Sequence, residues 1–73
     1  MKLTNTELQV KNVLMDCTGW SFIKSKDSGE TIYTLIDNYG DVDGEPIEDF
    51  NDLIDFICND SDVENELSLL EEN

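Results

Sequence analysis

From Asp27 to Asn73 the chain carries sixteen carboxylates and no lysine, arginine or histidine. Its four lysines, Lys2, Lys11, Lys24 and Lys26, all come earlier and meet only Glu7 and Asp16, so the first 26 residues are net +2 and the remaining 47 net −16. Self-repulsion of that size opposes compaction while favouring solubility and fast capture by cationic partners. The charge works against folding, and its purpose is to be sought in function.

Surface scaling gives a folded chain of this mass roughly 4,600 Å² of accessible area, so sixteen carboxylates over about half of it come to one per ~140 Å². Duplex DNA, with a charge every ~1.7 Å of axis on a cylinder ~10 Å in radius, has one per ~110 Å². A protein groove built for phosphates can accept such a surface, provided the carboxylates are held rigidly.

Seventy-three residues make a single acidic domain, 1–73, with a marginal core, since a chain this short buries only about 60–65% of its unfolded surface. The start, Met1-Lys2-Leu3 followed by Thr4-Asn5-Thr6-Glu7, has no apolar stretch of the signal-peptide kind. No run approaches the ~20 apolar residues of a membrane span, and the expectation is a cytosolic protein. Cys17 and Cys58 lack the Cys-x-x-Cys spacing, and no histidine exists to complete a zinc site. Each falls on the apolar stripe of an expected helix, which favours buried thiols, with a disulfide between the two helices as the alternative.

Thr4 and Glu7 form a capping box, with Leu3 and Leu8 at the staple positions, and predict a helix from Asn5 to Asp16. Its stripe is Val10, Val13, Leu14 and Cys17, and Gly19 stops it. Trp20 to Lys26 alternates, with Trp20 and Phe22 on one side and Ser21, Ile23 and Ser25 on the other. Asp27-Ser28-Gly29-Glu30 then reads as a hairpin turn, and Thr31 to Asp37 as a second strand. A turn through Asn38-Tyr39-Gly40-Asp41 leads to a short third strand, Val42 to Ile47, placed at an edge by Gly44 and Pro46.

After Pro46 the helical period returns, with Phe50, Leu53, Ile54, Ile57 and Cys58 on one face and Glu48, Asp52, Asp55, Asn59 and Asp62 on the other. Ser61 with Glu64 is a second capping box, predicting a break near Asn59-Asp60 and a last helix with Val63, Leu67 and Leu70 inward. Glu71-Glu72-Asn73 sets negative charge at the wrong pole of that helix, where fraying is expected. The fold class is α+β, in the order α-β-β-(β)-α-α, a small antiparallel sheet packed by helices.

Catalytic chemistry finds little footing. Histidine and arginine are missing, no glycine loop of the phosphate-cradling kind occurs, and so small a domain has little volume for a pocket. No enzyme activity and no cofactor are expected. Asp41-Val42-Asp43-Gly44-Glu45 invites a calcium reading, but with Gly44 at loop position six the first and twelfth positions fall on Tyr39 and Phe50, neither of them a carboxylate. A turn with side-chain-to-backbone bonds and a positive-φ glycine fits better. The acidic helix lacks the interleaved lysines of an ordinary solvated face. Trp20, Phe22, Tyr33 and Phe50 suit a core. Phe56 lies off the stripe, either packed on the last helix or exposed among carboxylates as an interface anchor.

A short helix, the hairpin Trp20 to Asp37, the acidic turn Asp41 to Glu45 and an acidic helix with Asp49, Asp52 and Asp55 together resemble the small acidic proteins by which phages disarm host defence. The resemblance is greatest to the anti-CRISPR proteins that inhibit Cas9 by imitating DNA, and it rests on size, charge and layout without a signature motif. It implies carboxylates set where nuclease arginines read the short duplex signal beside the target. The candidate partner-binding residues are Asp37, Asp41, Asp43 and Glu45 on the loops, continued by Glu48, Asp49, Asp52 and Asp55 on the helix, as phosphate substitutes for arginine forks. The expected partner is the basic groove of a nuclease or other nucleic-acid-binding protein, with no direct nucleic acid or membrane contact. The alternative is an acidic adaptor or immunity-type domain that binds a basic surface outside any such groove, and a salt-rich habitat is a third origin for the charge.

Overall fold

The computed structural model describes residues 2–71. In chain order its elements are α1 (Asn5–Thr18), β1 (Ser21–Asp27), β2 (Glu30–Ile36), β3 (Val42–Ile47), α2 (Phe50–Ile57) and α3 (Ser61–Glu71). This is the expected α+β order with the third strand present. Glu72 and Asn73, where fraying was expected, lie outside the described residues.

The capping box of α1 forms as the sequence requires: the Glu7 amide donates to the Thr4 hydroxyl at 3.1 Å, and the Thr4 amide donates to the Glu7 carboxylate at 2.8 Å. Leu3 packs against the core while Leu8 stays exposed. The helix runs two residues past Asp16, because the Thr18 hydroxyl can donate back to the Leu14 carbonyl at 2.8 Å. Gly19 ends it in the left-handed region at φ +80°, with its amide on Met15 O.

The sheet is antiparallel in the order β1-β2-β3. Ser28 and Gly29, at φ +51° and +85°, make the two-residue turn whose positive φ values match the twist of a hairpin. Ser21 lies opposite Ile36, Phe22 opposite Leu35 and Lys24 opposite Tyr33. β3 pairs through Val42 with Ile36 and Asp43 with Leu35, then resumes at Ile47 with Tyr33. Gly44, Glu45 and Pro46 therefore bulge against one residue of β2, as a positive-φ glycine and a proline without a donor dictate at an edge.

Phe22, Tyr33 and Leu35 turn toward the helices and form the core with Val10, Leu14, Leu53, Ile57, Val63 and Leu67. Phe50 completes an aromatic cluster, its ring centroid 5.4 Å from Tyr33 and 6.4 Å from Phe22. Leu70 departs from the expected inward stripe and is 40% exposed. At the start of α3 the cap is Asp60, one residue before the expected Ser61. Its Oδ1 accepts from the amides of Asp62 at 2.9 Å and Val63 at 3.2 Å, and the carboxylate charge suits a helix N-terminus.

Candidate acidic interaction surface

The candidate carboxylates are set on one continuous stretch, from the end of β2 through β3 to α2. Asp37 closes the β2–β3 turn: its Oδ1 accepts from the amides of Tyr39 at 2.9 Å and Asp41 at 3.0 Å, and its own amide donates to Asp41 O at 2.8 Å. Asp49 is the N-cap of α2, accepting from the Asn51 amide at 2.7 Å. These two carboxylates shape the backbone that presents the others. Asp41, Glu45, Glu48, Asp52 and Asp55 are exposed, and Asp43 is half-buried at the edge of the helix-facing side, opposite Leu35. The acidic turn read at Asp41 to Gly44 is thus displaced: the turn with side-chain bonds is Asp37 to Asp41, and Val42 to Ile47 is strand.

Several chain ends meet at one end of the sheet. α1 finishes there at Thr18, β1 leaves at Ser21, β2 arrives at Ile36 and β3 departs at Val42. A Cβ added to Gly19 would stand 3.3 Å from the Asn38 Cβ, so the α1–β1 junction lies directly against the β2–β3 turn. The α2–α3 junction joins them, because Phe56, Ile57, Asn59 and Asp60 line a shallow hollow of about 320 Å³ with Leu14, Thr18 and Trp20. Asp37, Asp41 and Asp60 belong to the segments that meet at this pole, Asp55 is in the last turn of α2 that leads to it, and Asp43 is one residue away along β3. Glu45 follows along β3, whereas Glu48 and Asp49, expected on the helix, lie in the link between β3 and α2, with Asp49 as the cap of α2. Asp52 is one turn before Asp55 on α2, ~4.5 Å along the axis.

Every lysine sits elsewhere: Lys2 before α1, Lys11 in its middle, and Lys24 and Lys26 along β1 toward the hairpin tip. Two helix C-terminal ends, of α1 and α2, add partial negative charge at the pole, and neither has a basic residue in its last turn. The N-terminus of α3 also lies there, already occupied by Asp60. The local field registers on Cys17, whose thiol is pushed up by burial and further by Glu66, Asp62, Asp60 and Asp16. Cys17 and Cys58 are half-buried and remain thiols.

Two exposed aromatics stand among these acids. Tyr39, at the tip of the turn, is 85% exposed, and Phe56 is 48% exposed. Phe56 is therefore not packed away on the last helix; it borders the hollow beside Trp20. The sequence places Tyr39 in a turn, and an aromatic between Asp37 and Asp41 beside Gly40 is a signal for display.

Glu7 is the buried charged side chain of the described residues, 4% exposed. It accepts from Lys24 Nζ at 2.8 Å and from the Tyr33 hydroxyl, besides capping α1. Burial alone would raise its pKa, but the hydrogen bonds from Lys24, Tyr33 and Thr4 outweigh it and bring it down to about 2. Tyr33 is pushed up to about 12 by burial, then by its bond to Glu7 and the charges of Glu7 and Asp49. A proton-transfer pair needs pKa values near the working pH. This trio moves away from it and acts as a tie between α1 and the sheet.

An open groove of about 470 Å³ runs between the helices, lined by Thr6, Gln9, Val10, Phe50, Asn51, Ile54, Leu67 and Leu70. The expectation that so small a domain has little room for a pocket is corrected by this groove, but its lining holds no ionisable group. Among the described residues no group of three or more Cys, Asp or Glu side chains is placed to hold a metal ion, and no helix is long and apolar enough to cross a membrane. No protein-family model matches the chain, and neither a curated protein nor a solved structure is significantly similar to it.

Proposed function

We propose that the chain is an acidic nucleic-acid mimic, an inhibitor that occupies the basic groove of a nucleic-acid-binding protein such as a defence nuclease of the Cas9 kind. The observation that carries this reading is that Asp37, Asp41, Asp43 and Asp55 stand on segments that meet at a lysine-free end of the sheet, a hydrogen-bonded turn, a paired strand and a helix. Carboxylates on such supports keep their spacing when an arginine fork approaches, which loose tails do not. Long-range attraction gives a fast, salt-sensitive approach, and the occupied groove excludes DNA. The reading places the protein's action in the cytosol.

Tyr39 and Phe56 favour a second reading, an acidic adaptor or immunity-type domain, because exposed aromatics are protein-interface anchors more than phosphate substitutes. The test is to reverse Asp41, Asp43 and Asp52 to lysine and to add duplex DNA as a competitor. Binding to a basic partner is abolished by the reversal in both readings. Excess DNA competes only under mimicry, and binding that survives a large excess of DNA leaves the adaptor.

A further inference from the structure

We propose that the hollow between Trp20 and Phe56 is a socket for one arginine side chain of the basic partner, an inference that rests on reading the acidic pole as the partner-binding surface. The floor is apolar, Leu14 and Ile57, and the rim is polar, Thr18, Asn59 and Asp60. Trp20 is half-buried and Phe56 half-exposed, so both aromatic side chains retain accessible surface. Phe56 buries only part of its surface in the fold, at 48% exposed. Its place beside a hollow gives it a use.

Charge selects the occupant. Asp55 precedes Phe56 in the chain, Asp52 lies one turn before it on the same side of α2, and Asp60 lines the rim. The C-terminal ends of α1 and α2 bring the negative end of their dipoles to the same place, and the opposing N-terminus of α3 is already capped by Asp60. Lysine is absent from the pole. A neutral apolar side chain would fill the floor but leave this field unanswered, whereas a cation answers both the accessible aromatic surface and the carboxylates. Arginine suits it better than lysine, because the guanidinium is flat, weakly hydrated and stacks on aromatic faces while its edge donates to several acceptors at once. The area is small, and the socket supplies one anchor within a larger electrostatic contact.

Trp20 is the single tryptophan of the chain, so its fluorescence reports the socket directly. Labelled hexa-arginine and hexa-lysine peptides are titrated into the intact protein at moderate salt, with binding read by anisotropy and the socket by tryptophan emission. Hexa-arginine should bind about fivefold tighter than hexa-lysine and should shift the emission of Trp20. Phe56→Ala and Phe56→Leu should both bring the two peptides to near parity, with circular dichroism checking that each variant keeps the fold. Phe56→Leu keeps apolar bulk and removes the ring, so parity there assigns the preference to the aromatic face. Equal affinities in the unmodified protein, a preference that survives both Phe56 variants, or unchanged emission at saturation would overturn the socket. Equal binding of both peptides with DNA still displaced from a nuclease sinks the socket alone, while failure of either peptide to bind sinks the acidic-pole reading with it.

Discussion

Glu7 shows what the fold asks of a single carboxylate taken out of water. Its folded pKa is about 2 against an ordinary 4.5, so its contribution to stability is complete above pH 4.5 and drains away as pH falls toward 2. A shift of this size corresponds to about 3 kcal/mol, a large share of a small domain's stability. Glu7→Gln should cost about that at pH 7, since it removes the charge that accepts from the nearly buried Lys24 and from Tyr33. The cost should vanish near pH 2. Chemical denaturation of both proteins across pH measures it as a difference, which cancels the relief of repulsion as the other carboxylates protonate. Tyr33 has the opposite sign: its raised pKa of about 12 gives stability that is present below pH 10 and lost as pH climbs toward 12. The Thr4–Glu7 box was plain in the sequence, but it explained Glu7 so completely that the second role was hidden. Lys24 held the missing clue. The alternation that turns Phe22 inward also turns Lys24 inward, and an inward lysine requires an acid.

At the level of elements, α1 and the hairpin were legible because capping, apolar period and turn residues all agree there. The last two helices were less so. Asp60 and Ser61 are both good caps, and only the observed amide directions separate them. Leu70 continues the period of Val63 and Leu67 but borders the open groove between the helices, which leaves it 40% exposed, and Phe56 was ambiguous because an off-stripe aromatic is covered only if a neighbour happens to reach it. Among the candidate carboxylates, Asp37 and Asp49 are typical turn and cap residues by type and position, and the structure uses them so. Asp55 is the reverse case, an acid in the last turn of α2 at the negative pole of the dipole. Asp55→Asn should stabilise the protein by about 0.3–1 kcal/mol in thermal denaturation while weakening binding to a basic partner. A carboxylate kept for the fold alone would show neither the gain nor the loss.

The whole molecule is small, 35 × 27 × 18 Å, and carries a net charge of −14. Screening should therefore raise its melting temperature as salt is added, while the same salt weakens its hold on a cationic partner. Opposite responses of folding and binding to one variable are the signature of charge kept for recognition. The segregation of charge along the chain was visible in the sequence. Its gathering at one pole was not, because that depends on how α1, the β2–β3 turn and the α2–α3 junction converge in three dimensions. The most direct measurement is displacement of labelled duplex DNA from a groove-binding nuclease by this protein, followed from about 50 to about 200 mM salt. Mimicry predicts full displacement at the low end and an apparent affinity that falls by on the order of a hundredfold across the range. DNA that stays bound at low salt beside a protein already attached to the same nuclease would contradict the account.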